Sequence, residues 1–136
     1  MSGRSTRLSE TEKITINLGP VDLGRIELLV EQGLYTNRTD LIRTAIRNQL
    51  DRHEPVVQEA VVKQSASLGV LILGRKELEA QKTSGKRMKL FLLGMLVLTN
   101  DITPELALDV IDSITVYGVF RAPAAVREAL GDRIRR

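Results

Sequence analysis

In Glu12-Lys13-Ile14-Thr15-Ile16-Asn17-Leu18, polar and apolar residues alternate strictly from Lys13 to Leu18. Ile14, Ile16 and Leu18 fall on one side of an extended chain and Lys13, Thr15 and Asn17 on the other, the period-2 pattern of a half-buried strand. Gly19-Pro20 ends it, and the residues from Val21 to about Glu54 read as two helices. The first 54 residues therefore offer one strand and nothing in the same chain to pair with it. A lone strand leaves its backbone donors and acceptors unsatisfied, and the simplest remedy is the same strand of a second copy, set antiparallel by a two-fold axis. The pattern predicts an intertwined homodimer. Its core would draw on Ile14, Ile16 and Leu18 of the strand and on Leu41, Ile42, Ala45 and Ile46 of the second helix. Its outer face would carry Lys13, Thr15 and Asn17 from each copy. Such a two-stranded ribbon has a width that the major groove of B-DNA admits, and its six polar side chains suit base edges.

Helical spacing supports the rest of this segment. Leu23, Ile26, Leu29 and Val30 recur between Asp22, Arg25, Glu27 and Glu31, which predicts a helix over 21–32 with Gly33 as its stop. Thr36 is the expected N-cap of a second helix, whose apolar stripe is Leu41, Ile42, Ala45, Ile46 and Leu50 and which closes before Pro55. Arg43, Arg47 and Arg52 read as a solvated face with local ion pairs such as Arg47 with Asp51. Arg38 differs, because it stands in the first turn, where free backbone N–H groups and the helix dipole favour an anion. Thr36, Asn37, Arg38 and Thr39 thus make a candidate phosphate clamp.

Lys13 to Leu18, the helix after it, and the run Gly33-Leu34-Tyr35-Thr36-Asn37-Arg38-Thr39-Asp40-Leu41-Ile42-Arg43-Thr44-Ala45-Ile46-Arg47 closely resemble the ribbon-helix-helix (MetJ/Arc/CopG-like) DNA-binding proteins, and among them the CopG-like transcriptional regulators. The resemblance covers residues 10–54. It implies that the outward strand side chains Lys13, Thr15 and Asn17 read bases and that Asn37, Arg38 and Thr39 anchor a phosphate. Gly19-Pro20-Val21 departs from the polar cap that the family more often has before its first helix.

A different texture follows. Residues 55–67 read as a linker or a connecting helix. From residue 68 an apolar-Gly-apolar-apolar core recurs as Leu68-Gly69-Val70-Leu71, Leu93-Gly94-Met95-Leu96 and Tyr117-Gly118-Val119-Phe120, at a spacing of about 24 residues. Each is followed by a loop and a helical pattern, over 75–81, 104–111 and 123–130, with Asp101 or Thr103 before Pro104 as a helix start. Three strand-helix units predict parallel strands with helices along one side, in an α/β domain over 68–134. The expected class is therefore α+β: a flexible arm over 1–11, a ribbon-helix-helix domain over 12–54, and this appended domain.

Composition narrows the function. With 3% aromatic residues and no Trp, base-stacking platforms for single strands are not expected. The chain has no Cys and a single His, His53 at a helix end, so no metal or cofactor is expected. Asp101, Asp109 and Asp112 read as a cap and a solvated helix face rather than an acid–base pair. No Gly-x-x-x-x-Gly-Lys loop occurs, and Gly69, Gly94 and Gly118 read as close packing inside strands. Neither a signal core nor a span of about 20 apolar residues is present, so the expected location is the cytoplasm, on the nucleoid.

The formal charge of +3 is unevenly spread. Residues 1–54 carry eight Lys/Arg and eight Asp/Glu, residues 55–90 seven and three, and residues 91–136 five and six. Bulk charge thus does not mark the DNA-reading segment, and auxiliary phosphate contacts are expected from Arg4 and Arg7 in the arm and from Lys86, Arg87 and Lys89 in the basic window 82–89. The reading is a homodimeric, sequence-specific transcriptional regulator, acting as a repressor on double-stranded DNA, with a C-terminal domain for oligomerisation or sensing. Two rivals stay open. One is an antitoxin with a toxin partner; the other is a self-assembling architectural DNA-binding protein.

Overall fold

Pro20 supplies a φ suited to a helix and lacks the amide that the first turn would leave unbonded, so the chain turns into α1 (Pro20–Glu31) directly after Gly19. The departure noted in the sequence is thereby explained: Gly19 is the N-cap, and no side chain caps this helix. Gly33, at φ +86°, ends the turn that follows. The next helix, α2 (Arg38–Arg52), is capped by Asn37 and not by Thr36. His53 breaks the α2 ladder, and α3 (Glu54–Lys63) takes up where a connecting helix was one of two expectations. The computed structural model describes residues 11–135. Arg4 and Arg7 lie outside them.

The described chain divides into two compact units, one over Thr11–Glu59 and one from Ala60 onward. In the first, α1 packs on α2. Residues 11–19 lie in no helix or strand. No residue of this unit is buried. The apolar stripes of both helices thus stay at least partly open to solvent.

The second unit alternates β1 (Ser67–Leu73), α4 (Arg75–Ser84), β2 (Met88–Leu98), α5 (Pro104–Val110), β3 (Ile111–Arg121), α6 (Ala124–Leu130) and β4 (Ile134–Arg135), with a 3-10 turn at Gly131–Arg133. The sheet is parallel throughout, in the order β1-β2-β3-β4. β4, two residues long, has no counterpart in the sequence reading, where no alternation could reveal it.

One face of the sheet holds the core. Leu73, Leu92, Leu96, Leu98, Ile114 and Val116 pack there against Leu78 of α4, Leu106, Ala107 and Val110 of α5, and Val126 and Leu130 of α6. The three repeat glycines stand side by side, Gly69 beside Gly94 and Gly94 beside Gly118, all with φ between +129° and +141°. A methyl group on Gly94 would lie 1.9 Å from the Gly69 carbonyl oxygen, and one on Gly118 2.1 Å from that of Gly94. The repeat is thus a row of backbones that only glycine permits.

Polar contacts fix the connections. Thr103 caps α5 by accepting from the Leu106 amide. Asp101 instead accepts from the Arg75 amide and the Thr99 hydroxyl, tying the start of α4 to the end of β2. The hydrogen bond from Thr99, followed by that from Arg75, holds the Asp101 carboxyl below the usual range. Because α5 runs straight into β3, the Leu108 and Ile111 carbonyls are completed by Arg87 and Arg133. No helix among the described residues is long and apolar enough to cross a membrane.

Candidate nucleic-acid interface

The strand segment leads into a groove rather than a closed core. Ile16 and Leu18 line it together with Leu23 and Ile26 of α1 and with Arg38, Thr39 and Ile42 of α2. Exposure falls along the apolar set, from 75% at Ile14 through 57% at Ile16 to 43% at Leu18. Lys13, Thr15 and Asn17 are exposed as well, so both faces of the segment stand open in one copy. Of the expected dimer-core residues on α2, Leu41 and Ile42 are half-buried, whereas Ala45 and Ile46 are exposed.

Two side-chain hydrogen bonds build the start of α2. The Asp40 amide donates to Asn37 Oδ1 at 2.8 Å, and the Thr36 amide donates to Asp40 Oδ2 at 2.9 Å. Asn37 is itself a favoured capping residue, which the choice of Thr36 as cap overlooked. The cap occupies the Thr36 and Asp40 amides. Those of Arg38 and Thr39 meet no acceptor among the described residues, so two N–H groups point out of the positive end of a 15-residue helix. Arg38 adds a guanidinium there, 3.6 Å from the carboxylate of Glu27 on α1, in a pair exposed at both ends. Glu27 is a partner that sequence spacing could not supply.

Other cations sort by what they already hold. Arg87 donates to the Leu108 carbonyl at 2.9 Å and Lys82 pairs with Asp109 at 3.0 Å, which leaves Lys86 and Lys89 as exposed cations of the basic window without a carboxylate within ion-pair distance among the described residues. The expected Arg47–Asp51 pair does not form; the close carboxylate–cation pairs among the described residues lie elsewhere. His53 lies 3.2 Å from the Gln49 amide nitrogen, and no group of three or more His, Asp or Glu among the described residues is placed to hold a metal ion.

Comparison with known proteins agrees with this geometry. The profile of the ribbon-helix-helix transcriptional regulator family matches residues 9–127, across both units. The transcriptional regulator CdrS of Halobacterium salinarum is 33% identical over 42 residues, which is 31% of this chain and 76% of the relative. No solved structure matches the chain. An alternating segment before the first helix, two helices joined through Gly33, a capped second helix and a family profile spanning most of the sequence lead to one conclusion: the chain belongs to the ribbon-helix-helix transcriptional regulator family, and is a regulator rather than an enzyme.

Proposed function

We propose that this protein is a homodimeric DNA-binding repressor, in which residues 12–18 of two copies form an antiparallel ribbon that enters the major groove. The observation that carries the proposal is the N-terminal unit without one buried residue, its Ile14, Ile16 and Leu18 open beside an apolar groove. A two-fold partner covers such a surface and satisfies the strand backbone in one step. Lys13, Thr15 and Asn17 then face outward as base readers. The free amides of Arg38 and Thr39, with the Arg38 side chain, hold a phosphate and set the register of the ribbon. Repression follows from occupancy of the operator. The buried core of the second unit argues against a toxin-wrapping tail, which orders only on its partner. The test is selection of bound DNA from a random pool, followed by titration of the selected site and of random DNA with wild type and with Thr15→Ala. Enrichment of a two-fold symmetric site, with discrimination lost in the variant, is the expected result; no enrichment at all would remove the reading of specific recognition.

A further inference from the structure

The second unit holds a small cavity at the last glycine of its row. β4 pairs only with Ile114 and Thr115, so no described strand stands beside β3 level with Gly118 on that side. Gly118 has no side chain to fill the gap and can take none, because a methyl group there would meet the Gly94 carbonyl oxygen at 2.1 Å. The cavity measures about 150 Å³. It is lined by Gly118, by the apolar side chains of Val116, Phe120 and Ile134, and by Arg127 of α6 and Arg135 of β4.

The two arginines are the only charged residues lining it, and both are exposed. Neither has a carboxylate within ion-pair distance among the described residues. Arg127 lies over the Phe120 ring, 4.9 Å from its centroid, and donates two long hydrogen bonds, of 3.4 and 3.5 Å, to the Phe120 carbonyl. Ring and carbonyl thus hold the guanidinium at the cavity and leave most of its five N–H donors for a ligand.

Two uncompensated positive charges beside apolar walls call for an anion with an apolar body. A cavity of about 150 Å³ takes a group the size of benzene. A carboxylate matches the planar fork of a guanidinium, and its single charge gives up less hydration on entering an apolar cavity than a phosphate dianion would. The geometry points to a binding site for a small apolar monocarboxylate, with its charge on Arg127 and Arg135 and its hydrocarbon against Val116, Phe120 and Ile134. The site lies within one unit of one chain, so it goes beyond the DNA-binding reading and stands whether or not two chains pair.

Benzoate is a probe of the right size and charge. Titrated into the ¹⁵N-labelled full chain, it should move the amide signals of Gly118 and Ile134 and the Nε signal of Arg127 along one saturating curve. Benzamide keeps the ring and loses the charge, and should bind at least about tenfold more weakly. Acetate keeps the charge and loses the ring, and should bind at least about tenfold more weakly as well. Arg127→Gln and Arg135→Gln should each weaken benzoate several-fold. Arg135 stands in the two-residue β4 and makes no part of the buried core, so its variant still tests the site if Arg127→Gln costs stability. Benzoate that moves none of these signals, or never saturates them, overturns the proposal. Benzamide or acetate binding as tightly as benzoate overturns it too, by reducing the site to an apolar void or a plain anion contact. Unchanged benzoate affinity in Arg135→Gln and in a folded Arg127→Gln has the same consequence. None of these results touches the DNA-binding reading.

Discussion

The two units of this chain differ in what one copy can finish. From Leu73 onward, Leu78, Leu96, Ile111, Ile114, Val126 and Leu130 are fully buried, and helices, sheet and caps close around them. Between Thr11 and Glu59 nothing is buried, although the helices are well formed and α2 is capped. Local signals can therefore be complete where tertiary burial is missing, and the proposed second chain would supply that burial. On the proposed dimeric reading, a self-sufficient unit is joined to one whose stability depends on association.

Breaking the incomplete unit should have the largest effect. Ile16→Asp puts a carboxylate into the expected inter-chain core, where it has no partner. Dimer and DNA binding should vanish together while the circular dichroism of the second unit persists. A DNA-binding monomer from this variant would show that the ribbon is not shared.

The self-sufficient unit breaks at its glycine row. Gly94→Ala should cost about 3 kcal/mol or more, since it adds a backbone clash to an unfavourable φ. Gly69→Ala, where a methyl group meets nothing within 4 Å, should cost only about 1–2 kcal/mol of conformational strain. Denaturant midpoints of the two variants check the order; equal losses would mean that the clash relaxes at no cost.

Base reading comes next in size. Thr15→Ala or Asn17→Ala should each lose about 1–3 kcal/mol on the selected site and little on random DNA. Equal losses on both DNAs would make these side chains positioning contacts. Asn37→Ala should cost about 1 kcal/mol of stability by removing the α2 cap, with weaker phosphate anchoring on every DNA. An unchanged melting temperature would contradict that role of the cap. The smallest effect is in acid. Asp101 has a folded pKa below its unfolded value, so its contribution is complete above the unfolded value and is lost as pH falls through the folded one. Asp101→Asn should flatten the decline in stability of the second unit below about pH 4, measured by denaturant titration at each pH.

Much of this was legible in the chain. The apolar-Gly-apolar-apolar repeat marked the three long strands, because an invariant backbone conformation imposes the same residue at the same register. Helical spacing and Pro104 marked α5, and Gly33 marked the turn between α1 and α2. What escaped was non-local or very short. The pairing of Arg38 with Glu27, the use of Arg87 and Arg133 on the Leu108 and Ile111 carbonyls, and β4 all depend on which elements meet, and periodicity carries no such information. At the candidate interface, sequence supplied Asn37, Arg38 and Thr39 but misplaced the cap by one residue. It took Thr36 for the cap because Thr is itself a capping residue, whereas the Asn37 side chain accepts from the Asp40 amide and the Asp40 carboxylate accepts from the Thr36 amide.

The central claim is that residues 12–18 become a strand only in the presence of a second copy. Amide hydrogen exchange of the full chain across a dilution series tests it directly. Amides of residues 13–18 should be protected at high protein concentration and lose protection on dilution, while amides within β2 and α5 exchange at the same slow rate throughout. Protection of residues 13–18 that does not change with concentration, in a chain that sedimentation shows to be monomeric, would contradict it.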